Sequence, residues 1–84
     1  MAKRLARSGR GKSPESTFGL VLRSVRESHR LSQEELAARS GYHRTYIGQL
    51  ERGEKSPSLR TIFNLSSALK VGPSTLVRRV ERLI

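Results

Sequence analysis

The sequence predicts an all-α domain of five short helices, and three observations carry that prediction. Apolar residues recur at helical spacing from Thr17 onward. Residues that start and stop helices punctuate the text between those segments. No stretch shows the alternation of apolar and polar residues that marks a half-buried strand.

The first helix is read from the recurrence of Phe18, Val21, Leu22, Val25 and His29, which share one face at i, i+3, i+4, i+7 and i+11. A second opens at Ser32, where Ser32 and Glu35 have capping-box spacing and Leu31 with Leu36 makes a hydrophobic staple. Gly41 suits the left-handed position that closes it. The third runs from about His43 to Arg52, with Tyr42 and Ile47 as its staple, and ends at Gly53. Ser58 then caps a fourth helix through Leu69, with Leu59, Ile62, Phe63, Leu65 and Leu69 expected inward. Pro73, in a first helical position, begins a fifth that continues to the C-terminus.

Eighty-four residues suffice for one compact domain with a thin core, and 35% hydrophobic content agrees with that size. Residues 1–16 hold five basic residues, two glycines, one proline and three serines, and read as a disordered basic arm. Residues 17–84 form the folded domain. With Glu15 counted, the arm carries +4 of the formal net charge of +10, which leaves +6 on the domain itself. So basic a chain calls for a polyanionic partner, either nucleic acid or an anionic membrane surface. The absence of cysteine excludes disulfides and thiolate zinc ligands and matches a reduced, cytoplasmic setting. The positively charged start is not followed by an apolar run, so no secretory signal is expected. The longest uncharged apolar run, Phe18 to Leu22, is far too short to span a bilayer.

Function is concentrated in the second and third helices, QEELAARSGYHRTYIGQLERG. Ala37 is small where the third helix is expected to cross closely. Gly41 permits the positive φ of a short turn. Ile47 and Leu50 hold the two helices together. At about 100° per residue, Tyr46, Ile47 and Leu50 cluster on one side of the third helix. Arg44, Thr45, Gly48, Gln49 and Arg52 fall on the other. That outer face has the chemistry of base reading: arginine grips guanine, glutamine grips adenine, and threonine offers a hydroxyl and a methyl.

The segment Phe18 to Ile84, through LSQEELAARSGYHRTYIGQLERGEKSPSL, resembles the lambdoid repressor and Cro family of Xre-type helix-turn-helix proteins. Within that family it is similar to the controller proteins of restriction–modification systems, whose recognition helix often reads Arg-Thr-Tyr-Ile. The resemblance implies a lambda-repressor-like DNA-binding domain and a role for each matching residue. Arg44, Thr45 and Gln49 would read base edges in the major groove. Gln33 would hold a phosphate at the start of the second helix. Tyr46 would pack on the sugar-phosphate wall, with Arg52, Lys55 and Ser56 near the backbone; His43, by its own position, reads as a helix cap or a phosphate contact. Arg26 and Glu51 match a structural ion pair between the first helix and the end of the third. Gly48 departs from the pattern, which usually has a polar residue there; a glycine inside a helix costs roughly 1 kcal/mol relative to alanine.

Leu76, Val77, Val80, Leu83 and Ile84 make an apolar stripe on the fifth helix, wider than the core needs. The family dimerises through the region of its fourth and fifth helices, which makes this stripe the expected homodimer interface. Two subunits would then read half-sites about 34 Å apart.

His29 and His43 have no second ligand at useful spacing. No serine lies in a nucleophile-elbow context, and no glycine-rich phosphate loop is present. No catalytic residue, metal, cofactor or small-molecule ligand is therefore expected. The expected function is transcriptional regulation by binding double-stranded DNA at a partly palindromic operator in the cytoplasm, at the nucleoid. An antitoxin partnered with a toxin and a basic protein that coats nucleic acid without sequence choice are the alternatives. The arm is expected to add non-specific affinity, with minor-groove entry as its alternative.

Overall fold

A computed structural model describes residues 13–84 and contains five α-helices in this span: α1 (Pro14–Ser28), α2 (Gln33–Ser40), α3 (Arg44–Glu51), α4 (Leu59–Leu69) and α5 (Pro73–Leu83). The fold is all-α. α1 packs against α3 and α5, α2 against α3 and α4, and α4 against α5.

The first helix begins three residues before the expected Thr17. Ser13 caps it by accepting a hydrogen bond from the Ser16 amide (3.0 Å), and Pro14 occupies its first turn. Glu15 adds a negative charge at the positive end of the helix. Residues 13–16 therefore belong to the folded domain. A serine, proline and glutamate that suggest disorder by composition form a helix start by position. The rest of the expected arm, residues 1–12, lies outside the described residues.

At α2 both halves of the capping box form: Ser32 Oγ accepts from the Glu35 amide at 3.0 Å, and Glu35 Oε1 accepts from the Ser32 amide at 2.8 Å. Leu31 and Leu36 are both buried. Gly41 closes the helix at φ 80°, a left-handed conformation costly for a side chain bearing Cβ. The chain turns there directly toward α3.

The core is built from Phe18, Val21, Leu22 and Val25 of α1, Leu36 and Ala37 of α2, Ile47 and Leu50 of α3, Leu65 and Leu69 of α4, and Leu76 of α5. α4 buries Leu65 and Leu69 as expected, with Ile62 packed partly against the core, but two of its apolar residues face out. Leu59 and Phe63 lie outside, 72% and 54% exposed, while Thr61 and Ser66 are buried beside Leu65 and Leu69. Burying those hydroxyls is tolerable because each has a partner. Thr61 Oγ1 lies 2.9 Å from Ser58 Oγ and 3.3 Å from the Tyr46 hydroxyl, and Ser66 Oγ donates to the Ile62 carbonyl at 2.7 Å.

The apolar stripe of α5 is also divided. Leu76 is fully buried in its own core, so it has no surface to offer a partner. Val77 and Val80 line one depression with Pro14, Phe18, Pro57 and Ile62. Leu83 lines another with Leu20 and Val21. A single dimer face does not take in the whole stripe.

Candidate nucleic-acid interface

Three helices are locked beneath the outer surface of α3 by one buried carboxylate. Glu51 Oε2 accepts from Arg26 Nε at 2.6 Å, and Glu51 Oε1 accepts from Arg26 Nη2 at 3.0 Å. The pair is bidentate, and its side chains are only 10% and 4% exposed. The remaining Arg26 nitrogen, Nη1, donates to the Leu31 carbonyl at 2.8 Å. The hydrogen bonds to Glu51 hold the Arg26 guanidinium above its ordinary pKa, against the opposing effect of burial. Glu51 Oε1 also accepts from Gln33 Nε2 at 2.9 Å. Arg26 on α1, Gln33 on α2 and Glu51 on α3 thus form one network, and its members are charge-assisted and directional.

Gly19 completes the seat of α3. A Cβ at this position would fall inside contact distance of the Leu50 and Glu51 carbonyl oxygens. α1 therefore meets the last turn of α3 backbone to backbone. Neither periodicity nor the family resemblance singled out this glycine; its place between two apolar residues inside a helix is the signal that pointed to it.

On that base Arg44 and Thr45 are exposed, and Gln49 is half-buried beside them. His43 precedes them as an exposed N-cap whose side chain makes no capping bond. Gly48 is buried, where an outward position was expected. The position of a Cβ there is 3.1 Å from Arg52 Nη1 and 3.8 Å from Gln33 Oε1. The Arg52 guanidinium thus approaches the helix at this glycine more closely than a side chain usually permits, while Gln33 stands at ordinary contact distance.

Two expected contacts are committed within the protein. Tyr46 is half-buried; its ring centroid is 5.1 Å from that of Tyr42 and its hydroxyl faces Thr61. The hydroxyl is turned into the protein because the buried Thr61 supplies its partner. Gln33 spends one amide proton on Glu51, and the NH₂ group has a second proton to offer a phosphate. The capping box uses the Ser32 and Glu35 amides, while the Gln33 and Glu34 amides point out of the first turn of α2.

The cations of this surface are held by acids that the sequence reading did not name. Arg44 Nε sits 3.1 Å from Glu34 Oε2, both side chains exposed, in an ion pair across the turn between α2 and α3. Arg52 makes a fork with Glu54 at 2.7 and 3.3 Å. That contact raises the Arg52 pKa and holds the Glu54 carboxyl below the usual carboxylate range. Lys55 and Ser56 are exposed on the following loop. Among the described residues no group of His, Cys, Asp or Glu is arranged to hold a metal ion, and no helix is long and apolar enough to cross a membrane.

Two helices joined by a left-handed glycine, the second presenting arginine, threonine and glutamine above a locked base, define a helix-turn-helix DNA-binding domain of the Xre type. A family profile described as helix-turn-helix matches residues 22–76, and the chain belongs to that family. Its relatives include Control protein C.SmaI of Serratia marcescens, 47% identical over 58 residues that cover 69% of each chain. Control protein C.BamHI of Bacillus amyloliquefaciens is 44% identical over 61 residues, covering 71% of this chain and 75% of that one. Among solved structures, the restriction-modification controller protein C.AhdI of Aeromonas hydrophila superposes with a TM-score of 0.71 at 44% identity, covering 73% of this chain and 92% of its own.

Proposed function

We propose that this protein is a transcriptional regulator that binds a partly palindromic operator as a homodimer, with α3 in the major groove. The observation that carries this reading is the exposure of Arg44 and Thr45, with Gln49 beside them, on a helix immobilised by the Arg26–Glu51–Gln33 network. Base reading needs side chains that can reach the groove from a backbone that does not move. Arg44 serves as the guanine reader, Gln49 as the adenine reader, and Thr45 supplies the contact between them. Gln33, His43, Arg52, Lys55 and Ser56 set the register on the backbone. Tyr46 acts mainly from within, as a brace between α3 and α4.

Dimerisation uses the side of α5 that carries Val77, Val80 and Ile84. The exposed Leu59 and Phe63 of the neighbouring α4 enlarge it, in keeping with a two-fold contact. The relatives named as control proteins support a regulatory role. The protein works in the cytoplasm, where its DNA is.

Binding-site selection from random duplexes at fixed salt, run beside Arg44→Ala, tests the reading. The expected result is a palindromic consensus from the wild-type protein and loss of one guanine preference in the variant. A well-placed bidentate contact is worth about 1–3 kcal/mol of discrimination. Failure to enrich any sequence would overturn sequence-specific regulation.

A further inference from the structure

A second surface of the domain lies apart from the DNA-facing residues and from the Val77–Val80 side of α5, and it takes in Leu83 from the expected dimer stripe. Leu20 on α1 and Leu83 on α5 are 54% and 58% exposed, and they face a shared trough of about 370 Å³ floored by Val21 and flanked by Ser24. Arg79 and Arg82 form its rim. Neither arginine makes an ion pair among the described residues, in contrast to Arg23, Arg26, Arg44 and Arg52. The trough shares no residue with the depression lined by Val77 and Val80, nor with the residues assigned to DNA. Large apolar side chains exposed together beneath a polar rim mark an interaction surface.

We propose that this trough docks an amphipathic helix of another protein, one that carries acidic residues alongside its apolar stripe. An open trough between two packed helices suits an apolar helix face, whose side chains at i, i+3, i+4 and i+7 drop between the walls. The charge of the rim selects the occupant. A second copy of this chain would set Arg79 and Arg82 against the same arginines across a two-fold axis, a like-charge contact. An acidic helix neutralises both guanidiniums while covering Leu20 and Leu83. Because the trough is separate from α3, it remains open when the protein is on DNA, and the proposal does not depend on operator recognition.

The probe is a capped peptide of about 15 residues, long enough to form a helix on contact. It carries leucines at i, i+3, i+4 and i+7 with glutamates on both flanks; its counterpart has lysines in their place. Binding to the full chain is measured by fluorescence anisotropy at low salt. The acidic peptide is expected to bind about tenfold more tightly than the basic one, the scale of two exposed ion pairs gained rather than two repulsions. Arg79→Glu with Arg82→Glu reverses the order of the two peptides, and Leu20→Ser with Leu83→Ser weakens both. All four positions bear on the surface of the fold, and a thermal melt of each variant confirms that it is intact. Equal binding of the two peptides, no binding of either, or a preference unchanged by the charge reversal would overturn the proposal.

Discussion

Replacing Glu51 with alanine removes the acceptor for two Arg26 hydrogen bonds and one from Gln33, and leaves a buried guanidinium held only by the Leu31 carbonyl. Two independent scales give the cost. Hydrogen bonds to charged groups contribute about 1.5–3 kcal/mol each, so losing the Arg26 pair amounts to about 3–6 kcal/mol. Breaking a buried ion pair by deleting one partner costs about 3–5 kcal/mol. A domain of this size has a total stability of only about 4–12 kcal/mol. Equilibrium urea unfolding, followed by circular dichroism, measures the loss. With a slope near 1 kcal/mol/M, suited to so small a chain, the midpoint falls by about 3 M or more, or the cooperative transition disappears. Glu51→Gln keeps an acceptor for Gln33 and is milder. The double variant Arg26→Met with Glu51→Leu recovers most of the loss, because no charge is left stranded. A loss below about 1 kcal/mol in Glu51→Ala would refute the reasoning, since it would mean that the pair behaves as a solvated surface contact.

Gly19→Ala drives a methyl into the Leu50 and Glu51 carbonyls and is expected to cost about 1–3 kcal/mol or more, read as a lower thermal midpoint. Glu34→Gln frees Arg44 from its only described ion pair and removes a negative charge beside the proposed groove contact. Operator affinity should rise by up to about fivefold, and a fall in affinity would assign Glu34 to orienting the arginine instead. Glu35, whose carboxyl is held below its ordinary pKa by the Ser32 hydrogen bonds, supplies a contribution to stability that is complete above the unfolded glutamate value. That contribution is lost as the pH falls through the lower, folded-state value. Glu35→Gln retains a capping-box acceptor without the titration, so its thermal midpoint should fall less than that of the wild type between neutral pH and pH 3.

Some features of this protein were legible because they depend on neighbours in the chain. The capping box at Ser32 and Glu35, the staple of Leu31 on Leu36 and the left-handed Gly41 each involve residues within a few positions, and local sterics decide them. The same grammar was present in Ser13-Pro14-Glu15, where a basic, serine-rich context obscured it. The Arg26–Glu51 pair, 25 residues apart, was reached only through the family resemblance, since no periodicity links those positions.

Misplacements occurred where a helix had more apolar residues than its buried face could hold. Hydrophobicity ranked Leu59 and Phe63 above Thr61 and Ser66 for the core of α4, but partners for the two hydroxyls at Ser58, Tyr46 and the Ile62 carbonyl allow Thr61 and Ser66 to be buried beside Leu65 and Leu69 instead. On α5 the stripe is wider than the core needs, and packing against α1 and α4 divides its surplus between the Val77–Val80 depression and the Leu20–Leu83 trough, with Leu76 closing the core.

The sequence by itself determined the helical class, most of the helix ends, the basic character and which polar residues share the outer face of α3, because these follow from short-range sterics, composition and the 3.6-residue period. Only the tertiary structure decided which side chains are spent inside the protein. Glu51 gathers Arg26 and Gln33, Thr61 occupies Tyr46, Gly48 shelters beneath Arg52, and Glu34 holds Arg44. Those choices depend on which distant groups come within hydrogen-bonding distance when five helices close on one core, and distance in space is not written in the order of the chain.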